Sequence, residues 1–389
     1  MNRRALLRSF GAAGIGLAGA SIWRVESNHV LRVGDGPAYA PWQEWQKGRT
    51  NSSEQFVRAA VLAANPHNTQ PWKFHLLPEG VDVYADTSRR IGEIDPLLRE
   101  MHIGVGCAVE NLLLSAEAAG YSCSFDQAAP SADGALQSIV RILVKKDATR
   151  RASDLYAAIP KRHTNRARYI KSKDVDTQMI EALSNVKNSD SEIRVFWFRK
   201  PEEMKEFGDL VVRATEAIIA DQDQSLSSAR WMRRSWSDIE RLRDGLTYEA
   251  QGMTPGMLTL AKFMPPLDVK RADQYWLAAT RDRHVATANA FGMIAVRDTN
   301  NPQQRVEAGR LWQRMHLLAT LRGIAMHPLS QPVERRDREL QLGRPQTYAK
   351  ALSDLQQDDR WQPVMPFRLG YATQEALPSP RRTIASVLI

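Results

Sequence analysis

Two stretches decide the fold: EMHIGVGCAVENLLLSAEAAG at residues 100–120 and VEAGRLWQRMHLLATLRGIAMHP at residues 306–328. Each predicts a long apolar helix, buried on most faces, that ends in a glycine just after its C-cap. Gly106 and Gly309 precede that closing glycine by the same number of residues, and small residues recur at matched places. The match indicates an internal duplication, although any two buried helices rich in alanine and leucine align somewhere.

The segments around these helices alternate between helical and strand-like patterns. KFHLLPEGVDVYAD at residues 73–86 predicts a hairpin, and SIVRILVKK (138–146), EIRVFWF (192–198) and MPFRLGYA (365–372) predict single strands. The predicted domains are an export signal at 1–20, a linker at 21–50, a first half at 51–150, a second half at 151–375 with a lid-like insertion at 220–285, and a C-terminal tail at 376–389.

Composition excludes several classes of protein. The 389 residues are 43% hydrophobic and 25% charged, which is typical of a globular chain. The net charge of +9 is spread among nearly as many acids, so no nucleic-acid-binding surface is indicated. Two cysteines cannot form a disulfide scaffold, and the eight histidines lack metal-binding spacing. No nucleophile elbow or phosphate loop occurs.

The N-terminus reads as an export signal. MNRRALLRSF carries adjacent arginines without an acid, and the short apolar GAAGIGLAGA follows. This pattern predicts the twin-arginine export machinery as a partner and a periplasmic location, or membrane association through an uncleaved signal. A basic helix start in a cytoplasmic protein is the alternative.

Three segments concentrate polar groups beside turns. NPHNTQPW (65–72) offers more amide and imidazole groups than can satisfy one another, although an Asx-turn would explain part of them. KRHTNRARY (161–169) alternates two arginines and a threonine, which suits a phosphate clamp or a solvated basic turn. GIAMHPLSQPVE (323–334) follows a helix end, where backbone donors can meet a cofactor or simply connect two elements.

Together these segments resemble the nitroreductase family of FMN-dependent oxidoreductases over most of residues 50–372. The resemblance implies an α+β, three-layer fold with a mixed β-sheet flanked by helices. The family's order of loop and basic motif is reversed here, so the chain looks like a family dimer fused into two pseudo-repeat halves with one complete flavin site. That arrangement is similar to the Acg-like branch and leaves open whether the pseudo-dimer stays monomeric.

The resemblance also implies cofactor-binding residues. The motif residues Arg162, Thr164 and Arg166 would hold the FMN phosphate and ribityl chain, with Arg368 less certainly. The polar loop would approach from the other half, with Asn68 as the direct flavin contact, and the last segment would lie near the ring; the residues concerned are Pro66, His67, Asn68, Gln70, Leu329 and Ser330.

The flavin would carry the chemistry, so no catalytic side chain and no metal ligand is predicted. Hydride would pass from a small-molecule donor, NAD(P)H or another, through flavin N5 to a nitro, quinone or similar acceptor. The alternative is a non-catalytic FMN-binding or sequestering protein whose insertion at 220–285 closes the substrate face.

Overall fold

A computed structural model of the chain describes residues 25–26, 29–30, 33–47, 53–186 and 192–389. The export signal predicted at residues 1–20 lies outside these ranges, so it stays a prediction. Among the described residues, no helix has the length and apolar character needed to cross a membrane.

In the described part of the chain, eight strands form two four-stranded sheets. They are β1 (Trp72–Leu77), β2 (Gly80–Asp86), β3 (Tyr121–Asp126), β4 (Leu136–Lys146), β5 (Ile193–Phe198), β6 (Ala290–Val296), β7 (Ala325–Pro328) and β8 (Gln362–Gly370). The sheet orders are β1-β2-β4-β3 and β5-β6-β8-β7, which is one topology used twice. The predicted hairpin at 73–86 is confirmed as the β1–β2 pair.

The helices flank and join the sheets. They are α1 (Pro41–Glu44), α2 (Ser53–Ala60), α3 (Arg99–Ala118), α4 (Asp154–Ala158), α5 (Thr177–Asn185), α6 (Pro201–Ala220), α7 (Gln222–Ala229), α8 (Trp236–Leu242), α9 (Pro255–Phe263), α10 (Val269–Ala279), α11 (Pro302–Leu321), α12 (Gln331–Gln341), α13 (Thr347–Gln356) and α14 (Ile384–Val387). The fold is therefore α+β, as predicted.

The predicted mixed sheet needs correction. Every pair of named strands is antiparallel. A parallel contact occurs at one edge, where Leu388 near the C-terminus bridges Phe74 of β1 and the Ile389 N–H donates to the Phe74 carbonyl at 3.0 Å. The chain end thus adds to the first sheet, because the exposed edge of β1 offers free backbone groups.

The two long predicted helices, α3 and α11, pack directly on each other at Gly106 and Gly309. A Cβ added to Gly106 would overlap the backbone carbonyl of Val306, and a Cβ added to Gly309 would overlap that of Ile103. The two contacts are reciprocal, since each glycine meets the residue three positions before the other. This is the self-complementary pattern of a two-fold interface, found here within one chain.

Polar side chains also bridge these helices. The Gln313 amide donates to Asn111 Oδ1 at 2.8 Å, and both side chains make further hydrogen bonds to the backbone near α2. Buried Glu110 of α3 accepts from Arg310 at 3.0 Å and Arg314 at 2.5 Å. Because each of these buried groups has partners, the polar network costs little and fixes the register of the crossing.

The described residues of the segments predicted as linker and tail belong to the packed structure. Trp42 and Trp45 are buried, and Trp42 Nε1 donates to the Ser379 carbonyl at 2.7 Å. Arg381 and Val387 of the tail are buried as well. Composition rich in proline and glycine suggested irregular backbone, but it did not reveal that tryptophans anchor it.

Candidate cofactor site

A cavity of about 770 Å³ lies among α3, the insertion at 220–285, β7 and the start of α12. Its volume falls within the ~300–1,000 Å³ typical of small-molecule and cofactor sites. The insertion supplies more than half of the lining residues, so it is a wall of the cavity rather than remote surface.

The polar loop at 65–72 contributes Pro66 and His67 to the cavity wall. His67, Asn68 and Gln70 have φ values of +47°, +53° and +50°, a left-handed conformation that residues other than glycine adopt at a cost. His67 Nε2 makes a 2.9 Å hydrogen bond with Ser228 Oγ of the insertion. Such strained loops persist where the surroundings hold them, and they cluster at functional sites.

Asn68 and Gln70 have partners other than a cofactor. The Asn68 amide donates to the carbonyls of Gly245 at 3.2 Å and Pro380 at 2.9 Å, and its oxygen accepts from Arg381. Gln70 donates to the Arg243 carbonyl at 2.8 Å and accepts from the Arg382 N–H at 2.8 Å. Neither residue lines the cavity. The amides predicted to hold the flavin join the loop to the insertion and the tail instead.

Asn68→Ala therefore distinguishes the two roles. We expect the free energy of unfolding to fall by about 2–3 kcal/mol, because Arg381 and two carbonyls lose buried hydrogen bonds. Bound flavin at temperatures below the unfolding transition should be unchanged. Denaturant titration and the visible spectrum measure the two effects. Unchanged stability together with loss of bound flavin would instead support a direct contact between Asn68 and the flavin.

The basic segment places two of its three predicted clamp residues at the cavity. Thr164 and Arg166 line it, whereas Arg162 points into the core between the halves. Arg162 donates to the Leu62 carbonyl at 3.1 Å, and its buried Nε has no hydrogen-bond partner. The expected projection of all three on one side is wrong for Arg162, because the segment turns into the packed interface.

Positive charge accumulates around Arg166. Its charged neighbours are Arg368 and Arg283, and burial together with these cations lowers the pKa of Arg166 to about 10. Tyr169 acts in the opposite direction. Guanidiniums that are partly removed from water normally pair with carboxylates. Among the described charges that act on Arg166 there is no carboxylate, so the cluster is suited to bind an anion.

Arg368 is predicted to reach the phosphate, but its five donor positions are all engaged. Its Nε donates to His327 Nδ1 at 3.1 Å, and its terminal nitrogens donate to four backbone carbonyls, those of Asn165, Ala167, Arg283 and His284. It does not line the cavity. Arg368 thus holds the surrounding segments in place. Its charge acts on Arg166, although its own side chain does not line the cavity.

Two histidines that were not predicted as site residues, His284 and His327, line the same region. His284 lies in a π-helical turn at Thr280–Val285, a distortion frequent at functional sites. Both of its ring nitrogens are buried, and the ring lies beside the Arg166 backbone. The His327 ring stands edge-on to it, with centroids 4.7 Å apart, and burial lowers the pKa of both well below the usual value. For His284 the sequence offers no signal, because the residue falls in an insertion without a motif.

The N-terminus of α12 completes the wall. Ser330 and Gln331 line the cavity, and Gln331 Oε1 is buried without a partner. Leu329, predicted near the ring, is fully buried in the apolar core, and its N–H donates to the Pro366 carbonyl at 2.8 Å. The structure thus assigns Leu329 to packing and Ser330 to the cavity.

Acidic residues lie on another part of the wall. Glu100, Arg99 and Glu334 line the cavity, and all three are buried. Over the ranges that the structure describes, no group of three or more histidine, cysteine or acidic side chains is arranged to hold a metal ion. Burial raises the pKa of Cys107, whose Sγ donates to the Gly309 carbonyl at 3.2 Å.

Known proteins resemble this chain at low sequence identity. No family model matches the chain. The chain is 23% identical over 283 residues to two proteins of Mycobacterium tuberculosis, strains CDC 1551 and H37Rv, that carry the provisional name NAD(P)H nitroreductase. The match covers 71% of this chain and 75% of each relative.

Solved structures with low overall similarity were also found. A nitroreductase with bound FMN from Desulfitobacterium hafniense is 16% identical, with a TM-score of 0.35, and covers 58% of this chain and 93% of its own. The FMN-dependent nitroreductase NfnB from Mycobacterium smegmatis, in complex with NADPH, is 17% identical, with a TM-score of 0.36, and covers 60% and 96%.

Proposed function

We propose that the protein is an FMN-dependent oxidoreductase of the nitroreductase type. The observation that carries the proposal is the cluster of Arg166, Arg283 and Arg368 at a cavity of cofactor size, in which no described carboxylate acts on Arg166. The buried ring nitrogens of His284 and the buried, unpartnered Oε1 of Gln331 lie on the same wall. A group with an anionic end and hydrogen-bonding ring edges matches these features. The names of the two mycobacterial relatives agree with this function.

The residues present fit FMN. Arg166 and Thr164 would bind the phosphate, and His284 would donate to it or to the ribityl chain. The N-terminus of α12, at Ser330 and Gln331, would meet the ring edge with backbone and amide groups. When bound, FMN accepts a hydride from a donor and passes it to an acceptor. The chain itself binds and orients the group and excludes water.

The proposed site belongs to two fused nitroreductase-like halves, as in the Acg-like branch. The shared strand order and the reciprocal contact of Gly106 and Gly309 support this origin. His67 comes from the first half and Arg166 from the second, and both line one cavity. The two halves of the same chain thus form one site between them.

An opening in the insertion favours turnover over sequestration. Met257, Leu260, Met264 and Leu267 line the cavity, yet each is between 42% and 59% exposed. The cavity therefore reaches solvent at this rim, which leaves the substrate face open. We infer a nicotinamide as the donor and a nitro, quinone or similar compound as the acceptor. We further propose export through the twin-arginine machinery to the periplasm.

The visible spectrum of the purified protein tests the proposal. We expect oxidised-flavin bands, FMN on release by heat, and bleaching of the bands when NAD(P)H is added without oxygen. A nitroaromatic or quinone acceptor should then restore the bands. A colourless protein that takes up no added FMN would contradict the proposal. Bound FMN that no reductant bleaches would favour the sequestering protein.

A further inference from the structure

Two glutamates on the cavity wall are hydrogen-bonded to each other. Glu100 lies in the first turn of α3 and Glu334 in the first turn of α12, and they are 7% and 6% exposed. An ionised carboxylate only accepts hydrogen bonds, so two carboxyls can pair only if one of them is protonated. The pair thus holds one proton inside a cavity wall.

The surrounding charges require that proton. The groups that act on one another here are four carboxyls and three guanidiniums: Asp95, Glu100, Glu334 and Asp337, with Arg99, Arg305 and Arg336. The nearby imidazole of His102 stays neutral, because burial lowers its pKa to about 4. One proton on one carboxyl makes the buried cluster neutral, which is the state that burial favours.

The other acids are poor places for the proton. Both oxygens of Asp95 accept backbone N–H groups, from Glu100 at 3.0 Å and Met101 at 2.9 Å, which stabilises its anion, although burial and Glu100 raise its pKa to about 7. Asp337 accepts from Arg99 at 2.6 Å and Arg336 at 2.6 Å. Among the described residues, no guanidinium donates a hydrogen bond to Glu334. Burial followed by Glu100 raises its pKa well above the usual value, against the opposing charge of Arg99.

We propose that the Glu100–Glu334 pair is a proton-donating site for the electron acceptor that binds in this cavity. The assignment rests on the proposed function, which supplies the hydride. Glu334 lies one helical turn after Gln331, the residue proposed at the ring edge, so the pair and the reduced cofactor face the same space.

The proton number matches the chemistry. A quinone that receives one hydride needs one more proton to become a hydroquinone. A nitro group that receives one hydride and one proton on oxygen loses water and becomes a nitroso group. In either case the O–H bond of the pair breaks, a new O–H bond forms on the acceptor, and the cofactor supplies both electrons.

The charge left after proton release is also accommodated. The Glu100 side chain accepts from Arg99 Nη2 at 3.3 Å, which stabilises the pair when both carboxyls are ionised. Solvent entering through the open rim at Met257 and Leu260 can then return the proton. The arrangement resembles other buried acid pairs, in which like charges held close together keep one proton between them.

Infrared spectroscopy of the purified protein tests the shared proton without turnover. We expect a protonated-carboxyl C=O band near neutral pH that shifts in heavy water. Glu334→Gln and Glu100→Gln should each abolish it, because an amide can hydrogen-bond the remaining carboxylate without sharing a titratable proton. Asp273→Asn, another carboxyl on the cavity wall, is the control and should keep the band. No band in the parent chain, or a band unchanged in both glutamine variants, overturns the pair.

Rapid kinetics test the donation. In both glutamine variants, the donor should reduce the flavin at the same rate as in the parent protein. Reduction of the acceptor by the flavin should slow about 100-fold, which is the size of a typical general-acid contribution. The solvent isotope effect on that step should vanish. Bound flavin with unchanged acceptor reduction in both variants overturns the donation. A chain that binds no flavin overturns both the donation and the proposed function, and the infrared band then shows whether the pair itself exists.

Discussion

The chain carrying Arg166→Ala is expected to lose FMN during purification and to bind added FMN about 10- to 100-fold more weakly. The estimate follows from the loss of charged hydrogen bonds worth about 1.5–3 kcal/mol. Arg166 is the arginine of the predicted clamp that both lines the cavity and lacks a carboxylate partner among the charges acting on it. Titration of the stripped protein with FMN, followed by flavin fluorescence, measures the change.

The same variant should not unfold. Removing Arg166 relieves its repulsion with Arg368 and Arg283 and costs one hydrogen bond, 3.1 Å long, to the Ala250 carbonyl. We therefore expect the flavin-free variant to keep a free energy of unfolding close to that of the parent. Arg168→Ala is the matched control, because Arg168 is exposed in the same segment and does not line the cavity. Equal FMN binding by both variants would place the phosphate elsewhere.

Gly106→Ala is expected to destabilise the protein by about 3 kcal/mol or to prevent folding. The new methyl group would overlap the backbone carbonyl of Val306, and neither helix can move without opening the interface between the halves. Gly309→Ala should have a similar effect, because its methyl group would overlap the carbonyl of Ile103. The double variant should cost less than the two changes added together, since one separation of the helices relieves both overlaps.

A control glycine is available in another helix. Nothing lies within 4 Å of a Cβ built on Gly256 in α9, so Gly256→Ala should leave stability unchanged or raise it by up to about 1 kcal/mol. Urea denaturation of all four chains provides the comparison. If Gly106→Ala and Gly256→Ala behave alike, the close crossing of α3 and α11 does not hold the halves together.

The two matched long helices could be predicted from spacing alone. The equal spacing from Gly106 and from Gly309 to the closing glycine of each helix is visible in the sequence, because a close helix crossing tolerates only glycine at its centre. The hairpin at 73–86 follows from alternation around a turn in the same way. Both features depend on local or matched spacing, which a sequence displays directly.

The roles of individual polar residues could not be read in this way. Asn68 and Arg166 both stood in motifs that resemble a flavin site, yet Asn68 is occupied by the tail and Arg166 faces the cavity. The difference arises because residues more than 300 positions apart, Asn68 and Arg381, meet only in the folded chain. His284 lies in no motif, and nothing in the segments that contain Glu100 and Glu334 indicated that these two residues pair.

The sequence by itself determined the α+β class, the two matched long helices and the segments from which a cofactor site would be built. Local propensity and hydrophobic period suffice for these, since they act over a few residues. Only the tertiary structure decided which donors remain free, because burial, hydrogen-bond competition and the accumulation of like charge arise between distant segments. In the loop at 65–72, Asn68 and Gln70 were predicted as flavin ligands. Their amides instead hydrogen-bond the insertion and the chain end, and so join these segments to the first half.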